Sequence, residues 1–240
     1  MGGNVVYGTA FEGLHQDDSG VVVETSDGKE DRFDIVVGAD GNRSNTRACL
    51  GIEYTGFDLP ETWSIADVDA EGWENSEAFT LCTLPGGKVV VVAPLEATRY
   101  RVISNTKRAL SSLPLPFNVG NIRREANFTI SVRQAVRYNE GAVYLAGDAA
   151  HCHSPAGGLG MNLGIADGAE LAQRIVSGGL DGYSAARHAD GAQIIAQSER
   201  IRKLVTTKPP ITRAIRNSVF KLINATPALQ RRVAQRFLGN

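Results

Sequence analysis

The chain has 240 residues and few of the features that settle a protein's class at a glance. It has only three cysteines, Cys49, Cys82 and Cys152, widely spaced and odd in number. That argues against a disulfide framework and for a reducing, cytoplasmic setting. No C-x-x-C pair occurs, so the usual zinc-ligand spacing is missing. No apolar run approaches the roughly 18 residues a membrane span needs. The opening "MGGNVVYGTAFEG" has neither the basic start nor the apolar core of a secretory signal. Internal repeats and low-complexity segments are absent. Acidic residues stop at Glu199: from Arg200 onward there are ten Lys or Arg and no Asp or Glu, although the whole chain carries a net charge of only −1. The basic end could face an acidic partner or anionic lipid. Equally, the acidic remainder of the same chain could neutralise it, leaving amphipathic helices with a solvated basic face. No nucleic-acid partner is expected.

What is present is ordinary for a soluble globular protein: 42% hydrophobic and 21% charged residues. The length allows one large domain or two small ones. Residues 4–11 and 20–25 read as strands separated by the polar turn "HQDDSG", and Asp27-Gly28 reads as a second turn. "IVVGADG", from Ile35, looks like a buried strand that opens into a loop. From about 51 to 136 helical periodicity is nearly lost. Candidate strands are 62–68, 78–84, 88–94, 99–104 and 126–133, with "PGGK" at 85–88 as a hairpin turn and a short helix near 106–112. "AVYLAGD" (142–148) is a second buried strand ending in Gly and Asp. Helical pattern covers 161–175 and 184–204. After Pro209-Pro210 come two short helices, 211–224 and 227–238. Ile211, Ile215, Val219 and Leu222 share one face of the first, and Leu229, Val233 and Phe237 one face of the second. Thr226-Pro227 has the form of a cap followed by the first helical residue.

The densest chemistry lies in "GDAAHCHSPAGGLGMNLG" (147–164). A metal site there would have to use His151, Cys152, His153 and Asp148, yet no second ligand cluster exists, and no metal is expected. Cys152 next to histidine in sequence need not meet it in space, and Ser154 lacks the G-x-S-x-G elbow. The reading that fits best is a ligand cradle. Asp148 ends a buried strand, and open α/β sheets bind ligands at that edge. Pro155, Gly157, Gly158 and Gly160 then supply bare backbone that approaches a ligand closely. A helix follows, whose first amides are unpaired and partially positive. The bland alternative is a plain strand–loop–helix connection. "VGADGNRS" repeats the pattern upstream, with Asp40 and Gly41 closing a strand and Arg43 and Arg47 following.

Taken together, the two stretches resemble the flavin-dependent aromatic hydroxylases, the family of p-hydroxybenzoate hydroxylase. "DIVVGADGNRSNTR" (34–47) is similar to that family's Asp-Gly motif. "VYLAGDAAHCHSPAGGLGMNLGIADGAELA" (143–172) is similar to its Gly-Asp motif nearly residue for residue, and "YSAARHADG" (183–191) to the helix that follows. The resemblance implies an α/β FAD-binding fold with an α+β insertion: 1–50 and 137–205 as parts of the FAD-binding domain, 51–136 as an antiparallel substrate-domain sheet, and 206–240 as C-terminal helices. It implies that Asp148 binds a ribityl hydroxyl of FAD. The backbone of Gly157, Gly158, Leu159, Gly160, Met161 and Asn162 would face the flavin, with Pro155 beside the ring. Asp40 would help organise the pyrophosphate region and, in the family, use of NADPH or NADH, and Gly41 and Arg47 are cofactor-binding candidates beside it. Arg99, Arg133, Tyr138 and His151 are pocket candidates whose expected role is structural, and no side chain is identified as catalytic.

The family's G-x-G-x-x-G unit is missing. The expectation is therefore a chain without the adenosine half of the site: a truncated form, half of a split protein with an N-terminal partner fragment, or a degenerate relative. The activity the resemblance implies is NAD(P)H-dependent hydroxylation of a phenolic or related aromatic ring, with the redox chemistry carried by the flavin. The alternatives are a flavin-dependent reductase or dehydrogenase of the same fold, and a non-catalytic partner subunit.

Overall fold

The computed structural model describes residues 3–73, 76–114 and 116–238, with side chains through Arg232. In chain order the elements are β1 (Phe11–Asp17), β2 (Gly20–Thr25), β3 (Glu30–Phe33), β4 (Val36–Gly38), α1 (Asn45–Cys49), β5 (Tyr54–Glu71), β6 (Thr80–Thr83), β7 (Val89–Glu96), β8 (Arg99–Ser104), β9 (Asn118–Ala135), β10 (Asn139–Glu140), β11 (Val143–Leu145), β12 (His151–Cys152), α2 (Gly160–Ser177), α3 (Tyr183–Val205), α4 (Pro210–Ala225) and α5 (Pro227–Leu238). They fall into two compact units, residues 1–58 with 131–198 and residues 59–130 with 199–240. None of the described helices is long and apolar enough to cross a membrane.

In the first unit, β1, β2 and β3 form an antiparallel meander. Asp17 pairs with Gly20, so the turn is only Asp18-Ser19, which the Asp17 carboxylate ties by accepting from the Ser19 amide at 2.8 Å. The sequence expectation of a strand at 4–11 and a turn over all of "HQDDSG" is corrected here: the strand starts at Phe11, and His15, Gln16 and Asp17 belong to it. Val5, Val6 and Tyr7 have strand-forming side chains, but they lie exposed, in no strand. Strand propensity counts only where a partner completes the ladder. The turn at Asp27-Gly28 forms as read, with the Gly28 amide donating to the Thr25 carbonyl at 2.8 Å.

Two short strands place the motifs. β4 and β11 run parallel, with Val36 opposite Val143 and Gly38 opposite Leu145. Val143, Tyr144 and Leu145 are buried as the apolar run requires, whereas Val37 of β4 is 43% exposed, so β4 is not the fully buried strand its composition implied. The core beneath them consists of Ile52, Ala135, Tyr138, Tyr144, Leu145, Leu171 and Tyr183.

The second unit is built on antiparallel strands, β5 with β8, β8 with β7 and β7 with β6. Period-two alternation explains both faces. Ala66, Val68 and Ala70 of β5 are buried with Val90, Val92 and Val102. Between them Asp67 and Asp69 face outward, Asp67 opposite Arg101 and Asp69 opposite Arg99, and Asp67 takes a bidentate bond from Arg101 at 2.7 and 2.9 Å. All five expected strands exist, although β5 and β9 are far longer than read. "PGGK" widens into a loop closed by the Leu84 amide on the Lys88 carbonyl, and the short helix near 106–112 shrinks to a single 3-10 turn at Leu110–Ser112.

The helices after Pro209 form close to the expected bounds. The expected apolar row on α4 is present but uncovered, with Ile211, Ile215, Val219 and Leu222 between 47% and 76% exposed. Its inward contact is instead Arg216, which donates to the Val205 carbonyl at 2.7 Å. In the row expected on α5, the Val233 and Phe237 side chains lie outside the described residues.

Candidate flavin site

The parallel pairing of β4 and β11 brings the two motif loops to one sheet edge, because both strands end there and both loops leave from their carboxyl ends. The Ala146 amide donates to the Gly38 carbonyl at 3.0 Å and continues the ladder into the loop. Each chain then turns at an acid, Asp40 on one side and Asp148 on the other.

Asp40 is committed to the protein. Its carboxylate accepts from the Ser44 hydroxyl at 2.5 Å, the Thr46 amide at 2.9 Å and the Thr46 hydroxyl at 3.1 Å. Partial burial pushes its carboxyl up, but these bonds outweigh it and hold the group below the usual carboxylate range. Ser44 caps α1 through the Arg47 amide. Arg47 is also committed. It is 9% exposed and donates to the Ala149 carbonyl at 2.8 Å and the Asn42 carbonyl at 2.9 Å, and its guanidinium lies 3.8 Å from the centre of the Tyr54 ring. Tyr54 in turn donates to the Asp148 carbonyl at 3.1 Å. The Asp-Gly segment therefore clamps the backbone of the Gly-Asp turn. Gly41, with φ +84°, makes the bend between Asp40 and Asn42.

Asp148 differs. It lies exposed in the tight turn Gly147–Ala149, and among the described residues its carboxylate accepts no hydrogen bond. The turn is held from behind. The Asp167 carboxylate accepts from the Gly147 amide at 2.9 Å, from His151 Nε2 at 2.6 Å and from Arg187 Nε at 2.7 Å. Asp167 is 0% exposed, His151 1% and Arg187 7%. Burial alone would raise the Asp167 carboxyl, but the bonds from His151, Gly147 and Arg187 hold it below the usual range. Gly147 has φ +62° and packs glycine to glycine on α2, where a Cβ at Gly164 would come within 3.3 Å of the Gly147 Cα.

After β12, Ser154 and Pro155 start the glycine loop. Gly157 and Gly158 have φ +98° and +67°. A Cβ at Gly158 would meet no protein atom within 4 Å, so the conformation demands glycine and the space in front stays open. The Gly158 amide is used internally, donating to the Pro155 carbonyl at 3.0 Å. The first helical bond of α2 is Leu163 to Leu159 at 3.0 Å. No side chain caps the helix and no acid stands in its first turn. The amides of Leu159, Gly160, Met161 and Asn162 thus precede the hydrogen-bonded helix, at its positive end. Exposed Met161, Asn162 and Pro155 frame them.

Of the pocket candidates, His151 is locked to Asp167, and Tyr138 is fully buried with its hydroxyl accepting from Gln134 at 2.9 Å. Arg133 bonds Asp58, and Arg99 bonds Asp69 and Glu96 in the second unit. Cys152 is partly buried, and burial pushes its thiol up to about 11, so it is no ready nucleophile. No group of three or more His, Cys, Asp or Glu among the described residues is placed to hold a metal. The sequence reading missed Asp167 and Tyr54. Asp167 carried a signal: with Leu163 and Leu171 it forms the buried row of α2, and an acid at helical spacing between two leucines has to find buried partners.

The bare α2 start and the open Gly158 fit an electron-rich ring edge, and unpaired Asp148 fits a hydroxyl donor. The chain is also similar to known proteins. The family described as FAD binding domain matches residues 1–198. Rifampicin monooxygenase of Streptomyces venezuelae is 32% identical over 93% of this chain and 52% of its own length. Pentachlorophenol 4-monooxygenase of Sphingobium chlorophenolicum is 35% identical over 70% of this chain and 35% of its own length. The structure of anhydrotetracycline hydroxylase from Streptomyces rimosus superposes with a TM-score of 0.77 at 28% identity, over 98% of this chain and 53% of that one. The chain thus spans about half or less of the length of these relatives. With the motif geometry and these matches in agreement, the chain belongs to the FAD binding domain family of flavin-dependent aromatic hydroxylases.

Proposed function

We propose that this chain forms the flavin-ring part of an FAD-dependent monooxygenase that hydroxylates a phenolic or related aromatic ring, with NADPH or NADH as reductant. The observation that carries the reading is the uncapped start of α2 behind positive-φ Gly157 and Gly158, with open space in front of Gly158, and an uncommitted Asp148 on the same unit. Bound FAD would supply the redox chemistry. Asp148 would accept a ribityl hydroxyl. The amides of Leu159 to Asn162 would stabilise negative charge on the ring edge, helped by the helix dipole. Pro155 and Met161 would lend apolar contact and exclude water. Arg47 would support the site from the neighbouring loop by holding the Ala149 and Asn42 carbonyls, Asp40 by holding Ser44 and Thr46 at the start of α1, and Gly41 by making the bend between Asp40 and Asn42. The antiparallel segment 51–136 is assigned to the substrate. A cytoplasmic setting is supported by three free cysteines.

The test is titration of the chain with FAD and with riboflavin, which keeps the ring and ribityl chain, followed by flavin fluorescence. Thermal melting is recorded on the same samples. Gly158→Val places a side chain in the open space. It should remove binding of both flavins while the melt falls by only the roughly 1 kcal/mol expected from a strained φ. A variant with a depressed melt but unchanged flavin affinity overturns the assignment. Substrate-dependent NADPH oxidation that yields hydroxylated product separates the monooxygenase from a reductase of the same fold.

A further inference from the structure

A second site, unrelated to the flavin loop, lies within the unit formed by residues 59–130 and 199–240. The loop between β6 and β7, the end of α3 and the connection to α4 enclose a cleft of about 430 Å³. Its cations come from three separate places: Lys88 on the loop, Arg202 and Lys203 on the last turns of α3, and Lys208 on the connection. Arg202 is held bidentate by Glu199 at 2.8 and 2.7 Å through Nε and Nη2, which leaves Nη1 uncommitted among the described residues. Lys88, Lys203 and Lys208 form no ion pair with any described residue.

The cleft wall is built and fixed. Asn105 donates to the Gly87 carbonyl at 2.9 Å and accepts from the Val89 amide at 2.8 Å, pinning the loop. Gly87 is buried against α3's end, and a Cβ there would come within 2.4 Å of the Thr206 carbonyl. Thr206 itself caps back onto the Arg202 carbonyl at 2.8 Å. The lining also holds one acid, Glu61, whose Oε2 is buried without any hydrogen-bond partner. The Glu61 charge acts on Arg202 across the cleft, but its buried oxygen still has room for a hydrogen-bond donor. Three lysines without an ion-pair partner, all exposed, give the cleft mouth positive charge that favours an anion. One small molecule meets both demands: a phosphate with a hydroxyl beside it.

We propose that this cleft binds a phosphate ester of a polyol, the phosphate among Lys88, Lys203 and Lys208 and a hydroxyl donating to Glu61. The size suits a ligand of that class. The inference is independent of the flavin reading, because the site lies in the other unit and its test uses no flavin.

The probes are inorganic phosphate and ribose 5-phosphate, titrated calorimetrically at constant ionic strength. Ribose 5-phosphate should bind at least about fivefold more tightly than phosphate. Lys203→Ala and Lys208→Ala should each weaken both probes about three- to fivefold, as expected for exposed charge pairs. Glu61→Gln should narrow the preference for the sugar ester while leaving phosphate as tight or tighter, since a negative charge is removed. Lys29→Ala, a cation on the other unit, should change neither. The proposal is overturned if neither probe saturates, if the two probes bind alike, or if Lys29→Ala costs as much as the cleft variants.

Discussion

Asp40 and Asp148 follow neighbouring parallel strands and leave the sheet at the same edge, yet their carboxylates have opposite fates. Asp40 is filled by Ser44 and Thr46. Asp148 takes no bond from the described residues, although its turn is held by Asp167 behind and by Tyr54 beside it. The difference teaches that in one pattern, a strand running into Gly and Asp, the first copy is spent on local structure and the second is left exposed without a hydrogen bond from the described residues. The neighbours decide which: Ser44 and Thr46 can reach Asp40, whereas the small residues Gly147, Ala149 and Ala150 around Asp148 offer it no side-chain donor.

The largest expected effect comes from the support beneath the Gly-Asp turn. Asp167→Ala leaves buried His151 without its carboxylate and Arg187 with only Asp190 as an ion-pair partner, and should cost about 3 kcal/mol in denaturant unfolding. A loss below about 1 kcal/mol would mean that the turn does not depend on this cluster. Next is Asp148→Ala. Losing a charge-assisted bond to a buried hydroxyl should weaken riboflavin and FAD by about 1.5–3 kcal/mol, with stability unchanged within about 0.5 kcal/mol. Unchanged flavin titrations would place Asp148 with Asp40 as structural. Asp40→Ala should do the reverse. Loss of its bonds at the start of α1 should cost about 1 kcal/mol of stability, and flavin affinity should drop only in proportion to unfolded protein. A selective loss of flavin binding there would erase the contrast.

The smallest expected effect is in pH. Asp167 and Asp40 both have carboxyls held below their usual values. Their stabilising contribution is complete above the unfolded carboxylate pKa of about 3.9 and is lost as pH falls through the lower folded values. Stability should therefore be flat in acid down to about pH 4 and fall below it. Asp167→Asn should flatten that fall more than Asp148→Asn, measured by urea midpoints across the acid range.

Much of this was legible in the residues. The glycines at 157, 158 and 160 announced exposed backbone before a helix, and the strand at 143–145 announced itself by an unbroken apolar run. The helices at 160–177 and 183–205 were read slightly short, as helical pattern over 161–175 and 184–204. Strand limits were less legible. Residues 4–11 carried β-rich side chains without the partner that makes a strand, and β5 and β9 ran well past their apolar stretches because pairing with neighbours, not side-chain character, sets where a strand stops. The partners of Arg47 were hidden for a related reason. A charged residue after an Asp-Gly turn looks available to a ligand until the fold shows the Ala149 carbonyl, 102 positions away, accepting from it.

The sequence by itself determined the local chemistry: where the backbone is bare, where acids end strands, where the helices begin, and that the last 41 residues carry positive charge without any acid. These follow from side-chain type and short spacing, which act within a few residues. Only the tertiary structure decided that β4 and β11 are parallel neighbours, that Asp167 and not Asp148 is buried with His151 and Arg187, and that Lys88 shares a cleft with Lys203 and Lys208. Each of those joins residues far apart in the chain, and their meeting depends on packing and register, which no local pattern encodes.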